Sequence, residues 1–143
     1  IQALDRQVGK LSKESLRRWR LLNIHPRFFA LEGLTEEKAV ALYAETGDPR
    51  RFPTVDKFVA FLGLDPATKR SNRKVTYGHL TKMGTRYGRG ILGDVVMVMC
   101  RTNPVIKAAW EKAAAQNRPV KERRVICMRK IARMIWGIEN NPR

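Results

Sequence analysis

Seven cations, Lys69, Arg70, Arg73, Lys74, Lys82, Arg86 and Arg89, fall within residues 69–89, and no carboxylate occurs between Asp65 and Asp94. Nothing inside that stretch can neutralise its charge. Among the cations lie Ser71, Thr76, Tyr77, Thr81, Thr85 and Tyr87, with glycines at 78, 84 and 88. Hydroxyls, backbone amides and guanidinium groups in such a mixture suit the oxygens of a phosphate. The chemistry this stretch suggests is therefore the binding of an anion.

The whole chain points the same way. With 29 Lys and Arg against 13 Asp and Glu, its formal net charge is +16, which implies a strongly positive potential over some face. A polyanion is the expected partner, nucleic acid before an anionic membrane surface, because no apolar run approaches the ~20 residues that span a bilayer. At 143 residues, 43% apolar and 29% charged, the chain is long enough for one domain with a real core. Cys100 and Cys127 stand far apart among apolar neighbours, which fits two buried thiols in a reducing cytoplasm rather than a disulfide or a metal site. His25 and His79 have no carboxylate or cysteine at ligand spacing. The chain starts at Ile1 without a signal-peptide pattern, as if inside a helix, and we expect a piece of a longer protein.

The elements that must position the basic stretch are predicted to be helices. Ile1, Leu4, Val8 and Leu11 repeat at spacings of three and four, and the register continues through Ser15 to Trp19 and Leu22. This coiled-coil-like segment, residues 1–25, is read as an amphipathic linker helix ended by Pro26. Packing back on its own domain is slightly preferred to pairing with another chain. Residues 26–143 are read as the main helical domain. Thr35 is a fitting N-cap, Glu36 and Glu37 fill a first turn, and Gly47 stops that helix. The preceding turn around Gly33 has the shape of a helix-hairpin-helix, whose amides can hold a phosphate, but Glu32, Glu36 and Glu37 would repel one. A structural turn is the preferred reading.

Thr54 opens a further helix that ends near Gly63. Asp65-Pro66 leads into a long basic loop, in which Val75 and Tyr77 support no more than a short extended piece. Residues 87–100, apolar on nearly every side, predict a central helix. Asn103-Pro104 starts an alanine-rich helix carrying Trp110. The last helix, from about residue 120, has Val125, Met128, Ile131, Ala132, Ile135 and Ile138 along one side. Its cations Arg123, Arg124, Arg129, Lys130 and Arg133 form either a solvated face or a second phosphate-contacting surface. The expected fold class is all-α.

Several motifs occur in a set order. Leu31-Glu32-Gly33-Leu34-Thr35 is followed by Ala39 and by Glu45-Thr46-Gly47-Asp48-Pro49-Arg50-Arg51-Phe52. Then come Gly63-Leu64-Asp65-Pro66, Ser71, Gly78, Lys82, Gly84, Arg89 and finally Arg129-Lys130. In this order and at this spacing, residues 31–138 resemble the C-terminal transposase domain of the DEDD-type insertion-sequence recombinases, a family related to the pilin-gene inverting recombinases. The hairpin here lacks that family's proline and second glycine. Asn72 and Arg73 follow the serine where the family usually has glycine, and asparagine tolerates the left-handed conformation of a tight loop.

The resemblance implies that Ser71 is a nucleophile on a DNA phosphodiester, giving a covalent phosphoserine. It implies Lys69, Arg70, Arg73, Lys74, Lys82, Arg86, Arg89, Arg129 and Lys130 as nucleic-acid contacts. Mg2+ is expected on four acidic residues of a RuvC-like N-terminal domain outside this chain, with no cofactor in the chain itself. Expected partners are DNA, a structured guide RNA as in some members, and further copies of the protein, in the cytoplasm and at the nucleoid. A serine hydroxyl needs a base or metal to activate it, and no histidine or carboxylate neighbours Ser71 in sequence. The competing reading is a non-catalytic DNA- or RNA-binding module in which Ser71 only hydrogen-bonds a phosphate. A structural RNA-binding protein would fit the charge but not the ordered motifs.

Overall fold

The computed structural model describes residues 1–24, 26–71, 74–80 and 84–141, with residues 66–71 and 74–80 described as backbone. The body is all-α, as the sequence predicts. Its helices are α1 (Gln2–Leu21), α2 (Glu36–Thr46), α3 (Val55–Phe61), α4 (Arg86–Thr102), α5 (Pro104–Ala115) and α6 (Val120–Asn140). Short 3-10 turns at Arg27–Ala30 and Pro49–Arg51 join the first three.

Capping explains most boundaries. The Thr35 and Thr54 hydroxyls accept from the amides of Lys38 and Lys57, each at 3.3 Å. Gly47 ends α2 at φ 66°, a left-handed conformation that favours glycine. Asn103, only 7% exposed, caps α5 by accepting from the amides of Val105 (3.0 Å) and Ile106 (3.3 Å), with Pro104 in the first turn.

The core lies where α6 crosses α3, α4 and α5. Phe58, Leu62, Leu92, Val96, Met99, Ile106, Ile131 and Ile135 are buried there, and Phe28 and Leu42 extend it beneath α2. The Trp136 indole donates to the Phe52 carbonyl (3.1 Å), and the Glu139 carboxylate accepts from the Phe28 amide (2.8 Å). These two bonds fasten the end of α6 to the segments around Phe28 and Phe52.

Three expectations are refined. α4 is central through Leu92, Val95, Val96 and Met99, yet Met97 and Val98 stay about half exposed, so its apolar surface exceeds what the core covers. The turn at Gly33 (φ 89°) packs against α4, where a Cβ would meet Met99 and Thr102; it serves as a packed turn. α1 docks only by its C-terminal end. There Trp19 stacks on Phe29 (5.5 Å between ring centroids) and meets Tyr43 edge-on (5.0 Å), and Arg20 pairs with Glu36 at 2.7 Å. Ile1, Leu4, Val8 and Leu11 are all exposed, so the first half of the stripe does not pack back on this chain.

The largest difference from expectation is the basic stretch. In place of a long loop, the chain forms an antiparallel β-hairpin, β1 (Pro66–Ser71) paired with β2 (Lys74–Leu80).

Candidate nucleic-acid interface

The ladder of the hairpin fixes where Ser71 stands. Ser71 pairs with Lys74, Arg70 with Val75, Lys69 with Thr76 and Thr68 with Tyr77, and an irregularity follows toward Pro66, opposite Leu80. Ser71 and Lys74 are thus the last pair before the connection. Because strand positions alternate between faces and paired positions share one, Lys69, Ser71, Lys74 and Thr76 belong to one face by register. Arg70 and Val75 belong to the other. Sequence order alone had set Arg70 beside Ser71; the register instead sets Lys69 and Lys74 on its face. Arg73 and Lys82 lie outside the described residues.

At five steps of ~3.4 Å, Ser71 stands roughly 17 Å along the strand from Pro66. The hairpin is rooted between helices. Gly63 (φ 66°) turns the chain out of α3, with the Leu64 amide donating to the Val59 carbonyl at 3.1 Å. On return, the Thr85 amide donates to the Phe61 carbonyl at 2.8 Å. Gly84 lies so close to that carbonyl and to the Gly63 amide that a Cβ would overlap both. Thr85 then caps α4, accepting from the Gly88 amide (3.2 Å) while its hydroxyl donates to the Glu45 carboxylate on α2.

The remaining predicted cations divide. Arg86 and Lys130 are exposed. The Arg129 Nε donates to the Leu64 carbonyl at 2.5 Å, and burial, opposed by Asp65 and reinforced by Arg133, pulls its pKa below the ordinary arginine value. Arg89 lies beneath the same turn, its buried Nη1 against Gly63 and without a hydrogen-bond partner. Elsewhere on α6, Arg123 donates to the Arg118 carbonyl (2.6 Å), Arg124 to the Gly93 carbonyl (3.0 Å), and Arg133 pairs with Asp56 (3.0 Å). Bonds to carbonyls orient these guanidinium groups without cancelling their charge, so the surface stays strongly positive.

Two side chains at the root, Glu45 and Thr85, were not read as functional from the sequence. Thr85 was visible as a hydroxyl residue opening a helix and Glu45 as part of the ordered motifs. Nothing in the sequence paired them.

Among the described residues, no group of three His, Cys, Asp or Glu is placed to hold a metal ion, so they do not fit a magnesium site. Cys100 and Cys127 are free thiols, and burial, with Cys100 beside it, pushes Cys127 up to about 12. No helix among the described residues is long and apolar enough to cross a membrane.

The chain thus joins a helical body to a β-hairpin that carries Lys69, Arg70 and Lys74. Residues 26–111 match the model of the IS116/IS110/IS902 transposase family, and the chain belongs to that family. It is 29% identical over 141 residues to a Pseudomonas aeruginosa protein described as a probable family 20 transposase, covering 96% of this chain and 42% of that protein. It is 28% identical over 142 residues to a Sinorhizobium fredii protein described as "Putative transposase y4pF/y4sB", covering 96% of this chain and 35% of that one. The chain therefore spans less than half the length of either relative.

Proposed function

We propose that this chain is the strand-exchanging, C-terminal part of a DEDD-type DNA transposase, with Ser71 as its nucleophile. One observation carries the reading: in a transposase-family chain, Ser71 is paired with Lys74 at the end of a cationic hairpin whose two strands pack chiefly on each other. The Ser71 oxygen bonds to phosphorus, and a bridging oxygen of the DNA strand leaves with a proton. A hydroxyl of the second strand then attacks the phosphoserine, and the serine oxygen departs. Each step exchanges one phosphoester bond for another, so no external energy source is needed.

Lys69 and Lys74, which share the face of Ser71, hold the phosphate, while Arg73, Lys82, Arg86 and Lys130 contact the nucleic-acid backbone. In this reading Ser71 is activated from outside the chain, by an N-terminal domain whose acidic residues bind Mg2+. A guide RNA is a further partner, and the isolated chain is inactive. The exposed stripe Ile1, Leu4, Val8 and Leu11 pairs copies of the full-length protein.

The test is Ser71→Ala in the full-length protein. We expect loss of strand transfer and of the covalent adduct with DNA, with DNA affinity retained. An adduct that persists would overturn Ser71 as the nucleophile, and a parent protein that forms none while binding DNA would instead establish the non-catalytic binding module.

A further inference from the structure

We propose that Glu45, Thr85 and Arg129 are positioning residues that fix the direction in which the hairpin leaves the helical body, and so the place of Ser71; this rests on reading Ser71 as the nucleophile. A two-stranded hairpin alone is marginally stable in water. Among the described residues, β1 and β2 pack chiefly on each other, so their direction is decided at the root.

Both legs of the root are held, and by different helices. The outgoing leg is held at Leu64, two residues before Pro66, by the Arg129 guanidinium of α6. The returning leg is held at Gly84 and Thr85, through the Phe61 carbonyl at the end of α3 and the Glu45 carboxylate of α2. Gly63 and Gly84 allow the two legs to approach at backbone contact, and Arg89 closes the space beneath them. Arg129 and Arg89 thus face the protein's own backbone, which is where a positioning cation belongs and where a DNA-contacting one does not.

The length of the arm makes this root matter. A strand of roughly 17 Å, at ~3.4 Å per residue, converts a root rotation of about 4° into about 1 Å at Ser71. Misplacing a reacting group by ~1 Å costs on the order of 100-fold in rate. A loosened root therefore slows the chemistry without removing any group that touches DNA.

The experiment compares Thr85→Val and Arg129→Met in the full-length protein. Each is measured for DNA affinity, melting temperature and rate of covalent adduct formation. In parallel, nitroxide labels at Thr76→Cys and Lys112→Cys, in a Cys100→Ser background, report the hairpin-to-body distance distribution by electron spin resonance. We expect the adduct rate to fall about 10- to 100-fold, affinity to stay within about threefold, and the distribution to broaden. Thr85→Ser, which keeps the hydroxyl, should restore both rate and distribution. A distribution as narrow as the parent's in both variants overturns the proposal, as does a broadened one with an unchanged adduct rate. If Arg129→Met does not fold, Thr85→Val alone decides. A persistent adduct in Ser71→Ala removes the nucleophile assignment, and the label distances still judge whether these contacts hold the root.

Discussion

Replacing Lys69 and Lys74 together by glutamine tests the hairpin register against the charge of the chain as a whole. Both residues share the ladder face of Ser71, whereas Arg70 stands on the other. If each lysine neutralises one phosphate on duplex DNA, at ~0.9 per contact the double variant lowers the slope of log affinity against log salt by about 1.8. Raising salt from about 50 to about 200 mM then costs the variant roughly twelvefold less affinity than it costs the parent. Fluorescence anisotropy on a labelled duplex at three or four salt concentrations measures both slopes. Arg70→Gln is the internal comparison, expected to change the slope by well under ~0.9 if the DNA lies against the face of Ser71. The register argument fails if Arg70→Gln lowers the slope as much as the double variant, or if the double variant leaves it unchanged. Similar losses on unrelated sequences would further mark these as backbone contacts.

Leu4→Glu with Leu11→Glu should shift the full-length protein toward monomer in analytical ultracentrifugation while leaving its melting temperature nearly unchanged, because both side chains are more than 60% exposed; an unchanged sedimentation profile counts against pairing through α1. Asn103→Ala removes the acceptor for two amides at the start of α5, so a loss of about 1–2 kcal/mol is expected by denaturant unfolding, and a loss below ~0.5 kcal/mol would contradict the capping role. Cys127, pushed up to about 12 by burial, should resist thiol reagents at pH 8 to 9 in the folded protein, whereas Cys100, partly buried and pushed up by burial as well, should react faster than Cys127. The unfolded Cys127 thiol ionises near its ordinary value of about 8.5 and the folded one does not, so this group makes stability fall as pH rises above that value; in Cys127→Ala that part of the alkaline loss should vanish.

The helices were legible because their signals are local. Thr35, Thr54, Gly47 and Asn103-Pro104 mark ends through bonds made within a few residues, and the apolar spacing of α6 repeats over nearly four turns. The hairpin was not, because only Val75 and Tyr77 alternate clearly, and a strand written in lysine, arginine and threonine carries little apolar pattern. The root was beyond sequence reasoning for a different reason. Glu45 and Thr85 are 40 residues apart, and Arg129 and Leu64 are 65 apart, with nothing in either neighbourhood to announce a partner. A count of cations likewise cannot tell Lys130, which is exposed, from Arg129, which is turned against a carbonyl. For α1 the stripe was legible, but whether it finds a surface on its own chain depends on where the docked end at Trp19 directs it.

The ladder that carries Ser71 couples its reach to its orientation. Inserting one residue into each strand would carry the serine outward by ~3.4 Å and also turn it to the opposite face, away from where the lysines of its own pair and the next-but-one now stand. Keeping the face requires two residues per strand and an extension of ~7 Å. On the proposed function, a relative whose partner domain sat at a slightly different distance would therefore have no small adjustment open to it within the hairpin. Its fine tuning would have to come from the angle at the hairpin's base, and length variation among functional hairpins should come in multiples of four residues.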